Sequence, residues 1–203
     1  MTLRVVRVGG GSGMWGDDIE APRRLVEGGP LDYLMLDYLA EVTMSVLQRQ
    51  KERNPAEGYA RDIIGAVQSV LPALAAGRVK LLANAGGVNP EACAAAVLAM
   101  LERNGARATV RVGLVTGDDL LERVDELTDA GHELRHMDTG QLLADVRDRL
   151  VSANAYLGSA PLAEALALGA QVVLSGRCND AALAVAPLRH EFGWGAGDYD
   201  LLA

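Results

Sequence analysis

Short apolar runs that alternate with helix-like segments limit most strongly how this chain can fold. Such runs end near Val8, Leu36, Ala83, Val115 and Leu174, and helical patterns occupy the intervals. Short continuous apolar runs are typical of strands buried on both faces, and strands that alternate with helices are joined by crossover connections. The sequence therefore predicts an α/β fold: a mainly parallel open sheet with right-handed crossovers and helices on both faces.

Charge and composition narrow the classes of partner. The 203 residues carry a formal net charge of -8, and we find no basic stripe that would bind a nucleic-acid backbone. The longest apolar stretch, Ala92 to Leu101, is too short to cross a membrane. Two cysteines without paired spacing fit a reducing compartment. We predict a cytoplasmic protein of one domain over residues 1–203, with no membrane and no nucleic-acid partner.

A glycine-dense loop follows the first apolar run, which begins at Leu3. Five glycines lie between Gly9 and Gly16, and they allow sharp turns and close approach of a ligand to the backbone. Ligands of open α/β sheets bind beyond the carboxyl ends of the strands. We therefore expect this loop to contact a small substrate through Gly10, Gly11, Ser12, Gly13 and Trp15.

The same loop satisfies the GxGxxG pattern of dinucleotide-binding folds. Its glycines are Gly11, Gly13 and Gly16. Asp37, at the end of the second predicted strand, has the place of a ribose-binding acid, so NAD or FAD is one interpretation. Bulky Trp15 inside the turn argues against it, and so does the negative charge where a pyrophosphate would lie, at Asp17, Asp18 and Glu20. A loop for another small ligand and a purely structural turn remain the alternatives.

Asparagines follow two later segments in similar surroundings. The tripeptide Ala-Asn-Ala occurs at 83–85 and again at 153–155, each time before a helix that starts near a proline. Helix capping explains Asn89, and chain turning explains Gly86 and Gly87. Neither capping nor turning explains Asn84. Together with Asn154 and Tyr156, it offers hydrogen bonds to a substrate carbonyl or hydroxyl group. Substrate-binding and structural roles both stay open for this set.

The segment from Ser175 to Asp180 follows the last apolar run and contains Arg177. An arginine in such a turn suits a bidentate interaction with a carboxylate or phosphate. Carboxylates close to strand ends are candidates for proton transfer, because burial raises their pKa. These candidates are Asp37, Glu41 and Asp180. Cys178 near a helix start is a possible nucleophile, but no histidine is an obvious base partner.

A zinc-protease pattern, HExxH, occurs at His132, Glu133 and His136. The pattern binds metal only on a helix, where one turn brings both imidazoles together, whereas in a strand they stand about 13 Å apart. Gly131 and Gly140 leave little room for a helix. We therefore predict a strand starting at His132, the fifth in chain order and before the run that ends near Leu174, and no metal site.

Five segments together resemble the acyclic terpene utilisation family of AtuA-type proteins, formerly a domain of unknown function. They are GGGSGMWGD (9–17), LDYLMLDYLAEVT (31–43), ANAGGVNP (83–90), GRCNDAALAVAPL (176–188) and HEFGW (190–194). The resemblance implies a bacterial catabolic protein in the breakdown of branched acyclic terpenes, whose intermediates are acyl-CoA thioesters. It also implies that the family domain is longer than this chain, which would be its N-terminal part. It assigns no cofactor and no catalytic role.

Residues and resemblance together lead to one leading hypothesis and two alternatives. The leading hypothesis is a catabolic enzyme that acts on a small branched substrate, either carboxylated or CoA-linked, and works as a homo-oligomer or with a partner subunit. The first alternative is a noncatalytic small-molecule-binding subunit that needs a partner for chemistry. The second is an NAD(P)-dependent oxidoreductase. The cofactor stays unassigned.

Overall fold

The computed structural model describes residues 4–202. Within that range five strands form one sheet: β1 (Val8–Ser12), β2 (Tyr33–Leu36), β3 (Lys80–Ala83), β4 (Val112–Val115) and β5 (Val172–Ser175). The α-helices are α1 (Ala21–Gly28), α2 (Glu41–Arg53), α3 (Asp62–Ser69), α4 (Leu71–Ala75), α5 (Pro90–Arg103), α6 (Val124–Asp129), α7 (Ser159–Ala167), α8 (Ala182–Phe192) and α9 (Tyr199–Leu202). Short 3-10 segments occur directly before α6 at Leu121–Arg123 and between α6 and α7 at Leu143–Arg149. No helix of the described part is both long and apolar enough to span a bilayer.

All strand pairs are parallel, and the strand order is β1-β2-β3-β5-β4. The connections from β1 to β4 all move in one direction across the sheet, whereas the step from β4 back to β5 reverses it. Right-handed crossovers then place α1 to α5 on one face and α7 on the other. The predicted α/β class, with a parallel sheet between two helical layers, is confirmed.

Alternate strand residues supply the two halves of the core. Toward α2, α3 and α5 lie Leu34, Leu36, Leu81, Ala83, Val172 and Leu174. Toward α7 and α8 lie Tyr33, Leu82 and Val173. Each buried aliphatic side chain of this kind stabilises the fold by about 1.5–3 kcal/mol, which fixes the strand register and hence the position of every strand end.

Three sequence predictions need correction. The first strand begins later than its Val-rich run suggests, at Val8, and continues through Gly9 to Gly11, so part of the expected loop is strand; Leu3 lies outside the described residues. On α2, the apolar spacing of Val42, Val46 and Leu47 predicts that all three face the core; Leu47 does, but Val42 and Val46 are exposed. The predicted strand at His132 is absent: among the described residues this segment makes only an isolated bridge between Arg135 and Leu142.

Candidate functional site

The carboxyl ends of β3 and β5 form the switch point of the sheet, because the chain leaves β3 toward one face and β5 toward the other. Crevices at such points are the usual ligand sites of open α/β sheets. Here the two loops are joined: the Gly86 N–H donates to the Ser175 carbonyl at 2.9 Å. A Cβ on Gly86 would lie 2.5 Å from that oxygen, so the joint requires glycine.

Asn84 directly follows β3, beside this joint, and is fully buried. Its Oδ1 accepts a hydrogen bond from the Tyr38 backbone N–H at 2.7 Å, and its Nδ2 donates to Asp37 Oδ1 at 2.6 Å. The Asp37 N–H in turn donates to the Ser12 carbonyl at 3.1 Å. Asn84 therefore fixes the Asp37 carboxylate at the end of β2 and links the ends of three neighbouring strands.

Arg177 follows β5, and only 3% of its surface is exposed. Its Nη1 donates to the carbonyls of Leu39 and Cys178, both at 3.0 Å, and to Asp180 Oδ1 at 2.8 Å. Among the described residues its Nε has no hydrogen-bond partner. Three contacts therefore hold one guanidinium nitrogen, whereas the opposite edge of the group lacks a bonded acceptor.

Tyr156 lies over the face of this guanidinium, and Glu41 lies near its opposite edge. The centre of the guanidinium lies 4.0 Å from the Tyr156 ring centroid, and the Tyr156 hydroxyl donates to Glu41 Oε1. Glu41, the first residue of α2, has an oxygen 3.7 Å from Arg177 Nη2, which is an ion pair without a hydrogen bond. The fold thus brings together four separate stretches of the sequence, which contribute Asp37 and Glu41, Asn84, Tyr156, and Arg177 and Asp180.

The titratable groups of this cluster differ in their environments. Burial raises the pKa of Asp37, although the Asn84 hydrogen bond opposes the shift. The Tyr156 hydrogen bond lowers the pKa of Glu41, which stays ionised. Burial raises the pKa of the Cys178 thiol to about 11, so the thiolate needed for a nucleophile is scarce near neutral pH.

Sequence reasoning missed Asp118, which follows β4 and is buried. Its Oδ2 accepts from the Arg177 backbone N–H at 2.8 Å and from Asn154 Nδ2 at 3.0 Å. Its carboxylate also packs against Gly176, where an added Cβ would lie only 2.2 Å from Asp118 Oδ1. Asn154 is thereby directed to Asp118, whose place in a Thr-Gly-Asp turn after a strand was the available sequence signal.

The segment from Ala153 to Leu157 connects the loops after β4 and β5. The Ala155 N–H donates to the Asp118 carbonyl at 2.7 Å, and the Leu157 N–H donates to the Arg177 carbonyl at 3.2 Å. These bonds position Tyr156 over the guanidinium.

A small cavity of about 170 Å³ lies beside Asp118, between the loops after β3 and β4, and Lys51, Glu91 and Asp119 contribute to its lining.

The first glycine-rich loop is satisfied by its own residues. The Gly13 N–H donates to Asp17 Oδ2 at 3.0 Å, and this bond and that from the Asp18 N–H lower the pKa of Asp17. Ser12 Oγ donates to the Met14 carbonyl, and the Trp15 ring packs on the core. An ionised carboxylate thus already occupies a backbone donor that a dinucleotide phosphate would need.

The remaining predicted site residues have structural contacts. Gly10 lies within β1, where an added Cβ would meet only the end of Met35 at 3.8 Å, whereas one on Gly11 would lie 2.8 Å from Leu36. Gly87 has a φ of +56°, and a Cβ added there would lie 2.5 Å from the Gly58 carbonyl. Asn89 precedes α5 but makes no side-chain cap; its Nδ2 donates to the carbonyls of Pro55 and Glu57.

The HExxH residues do not form a metal site. The segment is not helical, and His136 Nδ1 accepts hydrogen bonds from the backbone N–H groups of Asp138 and Thr139. Glu133 pairs with Arg135 instead. Within residues 4–202, no group of three or more His, Cys, Asp or Glu side chains is arranged to hold a metal ion.

The fold and these contacts define a parallel α/β protein whose polar side chains gather at the carboxyl edge of the sheet, around its switch point. Comparison with protein families identifies it further. The model of the family described as acyclic terpene utilisation family protein AtuA matches residues 6–203, and the chain belongs to that family. No curated protein and no solved structure matches the chain.

Proposed function

We propose that this protein is a catabolic enzyme that performs acid–base chemistry on a small branched substrate, carboxylated or CoA-linked. Membership of the acyclic terpene utilisation family supports the branched, terpene-derived character of the substrate. The observation that carries the chemistry is that Asp37, held by Asn84 at 2.6 Å, lies in the same cluster as the buried cation of Arg177.

Within this proposal Asp37 transfers the proton. Its raised pKa brings it closer to neutrality than a free carboxyl group, and a general acid or base works best when its pKa lies near the working pH. Asn84 orients the carboxylate, Arg177 binds the anionic group of the substrate, and Asp180 holds the guanidinium through Nη1 at 2.8 Å. Glu41, at the mouth of the cluster, stays a further candidate for proton transfer.

A noncatalytic binding subunit is the second candidate, and one observation favours it. The side chain of Arg177 is only 4% exposed and lies under Tyr156, so the cluster as it stands admits no substrate without movement. A partner subunit that moves the Tyr156 segment would supply that opening. A nicotinamide oxidoreductase gains no support, since Asp17 occupies the loop that would hold the cofactor phosphates.

A thermal-shift screen tests the function first. The probes are branched acyl-CoAs, free branched acids, NAD, NADP and divalent metals, because a ligand that binds only the folded protein raises its melting temperature. A shift with acids or acyl-CoAs alone, followed by turnover of that compound, supports the enzyme. Binding without turnover, with activity only after a partner is added, supports the subunit, and a shift with a dinucleotide alone contradicts both.

Turnover then allows a test of Asp37. Asp37→Asn removes the titrating group but keeps a side chain of the same size, so we expect kcat to fall by about 100-fold or more. The wild-type pH–rate profile should show an ionisation above the ordinary aspartate value of 3.8, and the variant should lack it. Asp129→Asn, at an exposed aspartate on α6, is the matched control and should leave both unchanged.

A further inference from the structure

The guanidinium of Arg177 has one edge saturated and one edge open. Nη1 has three acceptors, but among the residues that the structure describes Nε is buried without a partner, and Nη2 faces Glu41 Oε1 at 3.7 Å, which is too long for a hydrogen bond. Nε and Nη2 form the side-on fork of an arginine. A buried donor left unpaired costs free energy, so an open fork is an unusual arrangement for a purely structural arginine.

The shape of this fork selects the group that binds it. Two parallel N–H donors match the two oxygens of a planar carboxylate in a bidentate arrangement. The Tyr156 ring lies against the guanidinium, with its centroid 4.0 Å from the central carbon, and limits the room above the plane. A planar carboxylate suits that slot better than a tetrahedral phosphate.

The charges around Arg177 oppose a further anion. Three carboxylates affect this region: Asp180 at 2.8 Å from Nη1, Glu41 at 3.7 Å from Nη2, and Asp37, whose pKa responds to both Arg177 and Asp180. One buried cation does not balance these acids. A ligand carboxylate therefore binds well only if one of them leaves or is neutralised.

Glu41 is the carboxylate best placed to leave. Its side chain is 77% exposed, it makes no hydrogen bond to Arg177, and its contact with the Tyr156 hydroxyl lies at the surface. Asp180, in contrast, is hydrogen-bonded to Nη1, and Asp37 is held by Asn84. Glu41 thus stands at the mouth of the fork, where the carboxylate of a ligand would enter.

We propose that the Nε–Nη2 fork of Arg177 is the binding site for the carboxylate of the substrate, and that Glu41 blocks this fork until the substrate displaces it. The inference rests on the proposed function, in which Arg177 binds the substrate anion. It adds the binding edge of the arginine, the carboxylate class of ligand and a competing role for Glu41.

Isothermal titration calorimetry on the full chain tests the inference with three probes: 3-methylbutanoate, its uncharged methyl ester and inorganic phosphate. Glu41→Gln removes the competing charge at an exposed position, so the fold is expected to persist. Glu52→Gln, an exposed change of the same charge on the same helix, is the matched control. Arg177→Lys keeps the charge but removes the fork.

We expect Glu41→Gln to bind 3-methylbutanoate about tenfold more tightly than wild type, and Glu52→Gln to match wild type. Arg177→Lys should lose at least about tenfold, with its fold checked by circular dichroism, and the ester should bind none of the proteins measurably. Equal affinities of Glu41→Gln and Glu52→Gln would overturn the proposal. So would a preference for phosphate, equal binding of acid and ester, or no binding by either protein at millimolar concentrations.

The two proposals fail in different ways. Tighter binding by Glu41→Gln without any turnover by the wild type would uphold the carboxylate fork and contradict the enzyme. If turnover depends on Asp37 but Glu41→Gln has the same affinity and the same KM as wild type, the enzyme is upheld and the carboxylate fork is contradicted.

Discussion

The glycine-rich loops after β1 and after β3 have similar compositions but use their glycines differently. In the first, the glycines make strand β1 and a turn in which Asp17 accepts from the Gly13 N–H. In the second, Gly86 and Gly87 let the backbone approach neighbouring loops so closely that an added Cβ would lie 2.5 Å from a carbonyl oxygen at either position. The first loop matches a known motif, whereas the second builds the joint beside which Asn84 is fixed.

This difference shows that glycine spacing alone is a poor guide to a ligand site. A phosphate-binding loop leaves its N–H groups free for the ligand. The loop after β1 instead binds its own ionised carboxylate, and the pKa of Asp17 falls because that loop donates to it. The position of a glycine relative to neighbouring backbone decides its role, and that position appears only in the folded chain.

Gly86→Ala should have the largest effect on stability. The new Cβ would lie 2.5 Å from the Ser175 carbonyl and 2.9 Å from Pro90 Cα, and backbone atoms cannot move aside cheaply. We expect the free energy of unfolding, measured by urea denaturation, to fall by about 3 kcal/mol. Gly28→Ala, at a helix end with open space, is the control and should change it by less than about 0.5 kcal/mol. Equal effects would mean that the joint is not tightly packed.

The sequence predicted the sheet well because its information is local. Each buried strand appears as an apolar run, and alternation with helices determines the parallel arrangement. The prediction from sequence was wrong at positions whose secondary structure or exposure is determined by tertiary packing. Gly9 to Gly11 look like loop residues but form β1, because Leu31, Leu34 and Leu36 cover positions that have no side chain of their own. Val46 fits an inward pattern, yet it lies on the outer side of α2 and is 40% exposed.

Asn84→Ala should have the second largest effect. The change leaves the buried Tyr38 N–H without its acceptor at 2.7 Å and Asp37 without its donor at 2.6 Å. We expect a loss of about 2 kcal/mol in the free energy of unfolding. Asn104→Ala removes one hydrogen bond at an exposed helix end and should cost less than about 1 kcal/mol. A loss no greater than that of Asn104→Ala would contradict the linking role of Asn84.

Only part of the candidate site could be predicted from the sequence. Asn84 and Arg177 stand directly after buried strands, so their convergence follows from the parallel sheet. Asp118 follows β4 in the same way, so its place at this edge also follows from the parallel sheet, but its Thr-Gly-Asp turn was not used as a signal. Tyr156 depends on a long connection whose path no periodicity describes. Tyr156 meets Arg177 because the segment from Ala153 to Leu157 crosses between the loops after β4 and β5, whereas the Asp118 carboxylate accepts directly from the Arg177 N–H at 2.8 Å.

Gly16→Ala tests the turn in the first loop and should have a smaller effect. Gly16 has a φ of +87°, which costs an alanine about 1 kcal/mol, but no atom lies within 4 Å of the added Cβ. Urea denaturation should therefore show a loss of about 1 kcal/mol, well below that of Gly86→Ala. A loss as large as that of Gly86→Ala would show that the two loops are equally constrained.

Gly13→Ala should have the smallest effect on stability and tests whether the first loop binds a ligand. An added Cβ would meet only Asp17 Oδ2, at 3.9 Å, and the Gly13 N–H keeps its bond to that carboxylate. We expect a change of less than about 0.5 kcal/mol in the free energy of unfolding. Titration with NAD or NADP should give no thermal shift with either protein, because Asp17 occupies the donor and repels a phosphate. A dinucleotide that stabilises wild type but not Gly13→Ala would show that this loop, and not the cluster around Asn84 and Arg177, is the ligand site.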